Sequence, residues 1–150
     1  MILVKGRLDY SVKPDVNNMH IFTGNAFVKN NGALVMGRGA AQQVRDLYPT
    51  VQFELGNKIK ALNIAGEDYL VLLSVTAGHP IWVFQVKYNW FEDADVELIK
   101  RSVCKLHAIA ENNPDVIYHM NYPGIGNGKL SITKVEPALH TLPDNVIIYK

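Results

Sequence analysis

Short apolar runs alternate along this chain with longer runs whose apolar residues recur every three or four positions. That alternation narrows the fold more than any other feature, because runs rich in β-branched and aromatic residues read as strands and three-to-four spacing reads as helix. The strand-like runs are "ILVKG", "HIFTGNAF", "DYLVLLSV", "PIWVFQVK", "DVIYHM" and "NVIIYK". Between the second and third lie two helical patterns. In "AAQQVRDLYP", Ala40, Ala41, Val44 and Leu47 share a face and Pro49 closes the run; in "VQFELGNKIKAL", Val51, Leu55, Ile59 and Leu62 do so, with Gly56 as the weak point. "DYLVLLSV" and "PIWVFQVK", separated only by "TAGH", read as a hairpin.

A third helix carries Val96, Ile99, Val103, Leu106 and Ala110 on one face, with acidic residues at its start and "NNP" at its end. A fourth covers "TKVEPALHTL", where Thr133 and Glu136 have capping-box spacing and Pro137 belongs near the first turn. Strands alternating with helices, plus one hairpin, predict an α/β fold: a mixed central sheet with helices on both faces, forming one domain over residues 1–150.

Composition excludes several classes. Hydrophobic residues make up 48% of the 150 and charged residues 19%, which is enough apolar material for an ordered core. A formal net charge of +1 gives no field that advertises nucleic acid or a membrane surface. The lone cysteine, Cys104, rules out an internal disulfide and a cysteine-rich metal site; its place in the third helix predicts a buried thiol. No two histidines share a face at metal-ligand spacing, so neither a metal nor a cofactor is expected. The N-terminus lacks a signal-peptide pattern, and no apolar run approaches the roughly 20 residues that span a bilayer, so a soluble cytoplasmic protein is expected.

Function concentrates in two loops. "NNGALVMGRGAAQQ" and "PGIGNGKLSITK" each follow a strand, hold several glycines and feed a helix. In open α/β sheets, ligands bind at the carboxyl ends of strands, where helix N-termini present free N–H groups. Glycine lets such backbone turn tightly and approach an anion closely. Two loops of this kind predict a clamp on a diphosphate. The spacing matches neither the P-loop pattern nor the G-x-G-x-x-G dinucleotide pattern, which disfavours both.

With "NA" at 25–26, "MGRGAA" at 36–41, "KYNW" at 87–90 and "PGIGNG" at 123–128, the chain resembles the macrodomains. It is most similar to the branch holding antitoxin macrodomains that remove ADP-ribose from DNA, together with hydrolases that release it from protein glutamates. The resemblance implies a three-layer α/β/α sandwich that binds ADP-ribose. Partners would be ADP-ribose or an ADP-ribosylated macromolecule, ADP-ribosylated DNA included, with no membrane. It places the diphosphate between Met36, Gly37, Arg38, Gly39 and Ala40 on one side and Pro123, Gly124, Ile125, Gly126, Asn127 and Gly128 on the other. The asparagine that meets the distal ribose, with a catalytic part, is Asn31 by preference, Asn25 second, with Asn30 also in range. Lys87 would be catalytic, attacking the anomeric carbon or holding the opened sugar, and Tyr88 and Trp90 would wall the ribose.

Two departures stand out. Arg7 occupies the place where many macrodomains carry an aspartate that reads adenine, leaving Asp9 as one substitute reader and a different base as another. "KLS" at 129–131 offers no carboxylate where the glutamate-directed relatives keep one. The resemblance therefore implies hydrolysis of an ADP-ribosyl linkage to DNA or protein, or of the phosphate of ADP-ribose 1″-phosphate. The alternative is a module that sequesters ADP-ribose, or a related NAD-derived nucleotide, without turnover.

Overall fold

The computed structural model describes residues 1–150. Its centre is a mixed six-stranded sheet of β1 (Ile2–Val4), β2 (Asn18–Gly24), β3 (Val71–Ser74), β4 (Ile81–Gln85), β5 (Ile117–Asn121) and β6 (Val146–Tyr149). The order across it is β1-β6-β5-β2-β4-β3, with every neighbouring pair parallel except the β3–β4 hairpin. All six strands overlap the expected runs, with β2 starting two residues before its run and β5 ending one residue after its own. The sheet needs helices on both faces because its strands alternate apolar residues toward each. Ile21 and Phe84 face one layer, whereas Phe22 and Val83 face the other.

On the first face lie α3 (Val96–Asn112) and α4 (Ile132–Leu139). On the second lie α1 (Gly39–Leu47) and α2 (Val51–Ile64). The architecture is the three-layer α/β/α sandwich. α3 is the most self-sufficient helix: the Asp95 carboxylate accepts from Glu97 N at 2.9 Å and Leu98 N at 3.2 Å, closing its N-terminus.

Three local expectations need correction. Cys104 is exposed, because the buried stripe of α3 runs through Leu98, Ile99, Ser102, Val103, Leu106 and Ala110 and leaves position 104 outside it. The Thr133–Glu136 capping box does not form. α4 starts two residues earlier than that box requires, with Ser131 at the N-cap and its hydroxyl bonded to the Thr133 hydroxyl at 3.1 Å. Pro137 accordingly falls in the second turn of α4, where it removes the helical bond to the Thr133 carbonyl.

Gly56, which weakens the sequence pattern of α2, has a packing cause. A Cβ there would sit 1.9 Å from the Gly32 carbonyl oxygen and 2.9 Å from Leu34 N. The loop after β2 crosses the helix at backbone contact distance, and only glycine admits that crossing.

Candidate functional site

Five parallel strands end on the same edge of the sheet, and their ends line one cleft of about 720 Å³. Gly6 and Arg7 follow β1, Asn25 follows β2, Lys87 follows β4, Tyr122 follows β5, and Lys150 follows β6. β2 sits between β5 and β4, where the chain passes from one half of the sheet to the other. That is the crevice where α/β sheets hold ligands.

The first wall is the loop from 25 to 38 and the start of α1. A bridge between Val28 and Leu34 folds the loop back on itself. Asn25 fixes its base, accepting from Phe27 N at 2.9 Å and donating to the Val35 carbonyl at 3.1 Å. Asn25 is buried and lines the cleft. Asn31 does neither. It stands exposed at the loop tip beside Asn30, where its side chain accepts from Ala33 N at 3.0 Å. Of the two asparagines, Asn25 rather than the preferred Asn31 lines the cleft, because an asparagine two residues before a turn amide serves the turn. Met36 is also outside, since its side chain is part of the core under α1 and α2.

From Gly37 onward the wall is backbone. The N–H groups of Gly37, Arg38, Gly39, Ala40 and Ala41 have no acceptor within the protein. Arg38 takes the N-cap position of α1 in extended conformation without a side-chain cap bond, and its guanidinium joins no ion pair. The N-terminus of α1 thus opens onto the cleft with its partial positive charge unopposed.

The second wall is the loop after β5. Gly124 and Gly126 have φ of 80° and 66°, left-handed values that favour glycine, and Gly126–Gly128 forms one 3-10 turn. This conformation leaves the N–H groups of Ile125, Gly126 and Asn127, three residues that line the cleft, without an internal acceptor. Two bonds hold the loop: Leu130 N to the Gly124 carbonyl and Ala94 N to the Gly128 carbonyl, each 2.9 Å. Pro123 is buried and does not reach the cleft. The walls meet where the Asn127 amide comes within 3.0 Å of a Cβ position on Gly39.

The segment after β4 closes one end. Lys87 is half-buried, its ammonium donating to the Trp90 and Glu92 carbonyls, both at 3.2 Å. Burial, then the nearby Arg38 charge, holds its pKa below the ordinary lysine value, against a smaller opposing pull from Asp93 and Glu92. Trp90 and the more exposed Phe91 meet edge to face at 5.4 Å on the rim. Tyr88 turns outward, where its hydroxyl accepts from Arg101 at 2.9 Å, so it does not wall this cleft.

Several lining groups lay outside the sequence reading: Phe91, Glu92 and Asp93 at this end, Asn121 and Tyr149 at the other. Glu92 is occupied by Asn89, accepting from its N at 2.9 Å and its Nδ2 at 2.7 Å. Asp93 is the freer carboxylate, 4.0 Å from the Lys129 ammonium. Asp9 is outside the cleft, its carboxylate turned to Ser11.

This architecture is the macrodomain fold. The chain superposes on the macrodomain of Mycobacterium tuberculosis DarG with a TM-score of 0.68 at 22% identity, covering 99% of this chain and 97% of that one. The macrodomain of Thermus aquaticus DarG gives a TM-score of 0.68 at 18% identity, covering 99% and 96%. Thermosipho africanus DarTG, solved in complex with ADP-ribose, gives 0.69 at 17% identity over 89% of this chain, which spans 38% of that longer one. No protein-family model and no curated protein matches the sequence, so the likeness is one of fold.

Proposed function

We propose that the cleft binds ADP-ribose, or the ADP-ribosyl group of a modified macromolecule, and that Lys87 cleaves the linkage. The observation that carries the reading is the facing pair of free amide sets, Gly37–Ala41 and Ile125–Asn127, around a space large enough for a nucleotide. Amides of this kind, with a helix N-terminus behind one set, suit a diphosphate. The distal ribose then lies toward Lys87 and Trp90, with Asn25 in the place first given to Asn31. The adenosine lies toward the ends of β1 and β6.

In the reaction, the neutral amine of Lys87 attacks the anomeric carbon. The bond from that carbon to the modified atom breaks, its electron pair leaves with the DNA base, protein oxygen or phosphate, and water supplies that group's proton. Water then adds to the anomeric carbon, ADP-ribose departs, and the amine is regenerated. Asp93 is the carboxylate placed to take a proton from that water. Partial burial favours the neutral amine the attack requires.

A non-catalytic role is the second reading, favoured by the two carbonyls that already hold the Lys87 ammonium. Calorimetry with ADP-ribose tests binding, and absence of heat at high micromolar ligand would sink both readings. Incubation with ADP-ribosylated DNA, ADP-ribosylated protein and ADP-ribose 1″-phosphate separates them. Under the first, Lys87→Ala lowers turnover by about a hundredfold or more while ADP-ribose affinity changes little. A lysine is active above its pKa, and this pKa is lowered. Turnover therefore rises with pH and reaches half-maximum below the ordinary lysine value of 10.5. A wild type that consumes none of the three substrates leaves the binding role.

A further inference from the structure

Beyond the clamp, the two ends of the cleft differ in charge. At the Lys87 end two carboxylates, Glu92 and Asp93, accompany the cations. At the β1–β6 end the lining residues with polar side chains are Arg7, Asn121, Tyr122, Tyr149 and Lys150, and none is acidic. Arg7 and Lys150 take part in no ion pair and no side-chain hydrogen bond. They are neighbours in the fold, since Lys150 N donates to the Val4 carbonyl at 2.9 Å and Arg7 lies three residues further on. Asn121 spends its acceptor oxygen on Leu8 N at 2.9 Å, and its amide lies against the Tyr10 hydroxyl, so it is engaged on both sides. The Tyr149 hydroxyl is committed to His119 Nδ1 at 2.8 Å. The carboxylate nearest in sequence, Asp9, is bonded to Ser11.

This end therefore offers cationic side chains with no acidic side chain beside them. ADP-ribose places there an adenosine, which is uncharged and already leaves its two anionic phosphates with the amide walls. Two ligand chemistries answer such an end: a base edge made of acceptors, or a further anion. Reading a base edge needs donors shielded from water, because discrimination comes from the cost of leaving a buried donor unpaired. Arg7 and Lys150 are both exposed. Exposed cations still attract a phosphate dianion, which keeps much of its own hydration, and an arginine can bind it through two parallel N–H bonds.

We infer that the β1–β6 end of the cleft receives a phosphate ester on the adenosine ribose, so that the preferred ligand is the NADP-derived ADP-ribose 2′-phosphate or a group carrying it. This inference rests on the ADP-ribose reading of the cleft. Arg7 grips the ester, Lys150 adds charge, and Tyr149 forms the wall beside the base.

The test is calorimetry with ADP-ribose, ADP-ribose 2′-phosphate and GDP-ribose, for the wild type and for Arg7→Ala, Arg7→Lys and Lys150→Ala. The 2′-phosphate should bind about tenfold more tightly than ADP-ribose, the worth of one charge-assisted contact. That ratio should fall toward one in Arg7→Ala, stay intermediate in Arg7→Lys and Lys150→Ala, and shrink between about 50 and 500 mM salt. Thermal melting of each unliganded variant checks that it is folded. A wild-type ratio within about threefold overturns the inference and leaves ADP-ribose binding intact. GDP-ribose as the tightest ligand also overturns it, assigning Arg7 to a base edge. If none of the three binds, the reading of the cleft itself fails. If the 2′-phosphate alone binds, the inference holds in its strongest form.

Discussion

α3 and α1 begin in opposite ways, and the contrast separates the part of this molecule built for stability from the part built for a ligand. The N-terminus of α3 is sealed, with the Asp95 carboxylate on two of its first amides. The N-terminus of α1 begins at Arg38, a cation where a capping carboxylate or hydroxyl would stabilise the helix, and its first amides have no acceptor. A helix end left open at a cost in stability is what an anion site requires. The loop after β5 repeats the pattern without a helix, using left-handed glycines to turn its amides the same way.

The strongest way to break the contrast is to give α1 the cap it lacks. Arg38→Asp places a carboxylate at an N-cap whose φ of −145° and ψ of 156° already suit one. The helix gains about 0.5–1 kcal/mol, visible as a higher melting temperature. ADP-ribose affinity falls at least about a hundredfold, because the new charge faces the diphosphate. A variant that gains stability and keeps its affinity would remove α1 from the site.

Gly37→Ala sharpens the contrast at lower amplitude. Nothing in the protein lies within 4 Å of a Cβ at Gly37, and its φ is outside the left-handed region, so folding gives this position no need of glycine. The melting temperature should hold or rise slightly, whereas ADP-ribose affinity drops about tenfold as the methyl obstructs the amides. Unchanged affinity in a calorimetric titration would show that the ligand does not approach this stretch.

Asp95→Ala makes the reverse change and the smallest one. Uncapping α3 costs about 1 kcal/mol, roughly 3 °C in a melting curve, with ADP-ribose affinity unaltered. A loss of affinity as large as that of Gly37→Ala would mean that the two helix ends are not independent.

The elements were legible in the sequence because their signals are local. The face of α3, the acidic residues before it and the β-branched strand runs are each set by neighbours within a turn or two. The glycine loops were legible for the same reason, as were Lys87 and Trp90, which sit beside them at one strand end. What stayed hidden depends on partners far along the chain. Gly56 looked like a flaw because Gly32, against which it packs, lies on a separate element. Asn25 and Asn31 have equivalent loop chemistry, and only the fold-back at Val28 and Leu34 puts one at the cleft and the other at the tip. The resemblance offers both Tyr88 and Trp90 as a ribose wall, and only the contact with Arg101 on α3 draws Tyr88 outward. Arg7 and Lys150 are at opposite ends of the sequence and become neighbours through the pairing of β1 with β6.

The crossing of Gly32 over Gly56 bears on how a ligand would be received. With no space between loop and helix, α2 cannot slide along its axis without dragging the backbone that carries Asn25 and leads into Gly37. The near side of the cleft is therefore set before anything enters it. Little chain entropy remains to be lost there on association, and that side should behave as a fixed anvil for whatever the cleft receives.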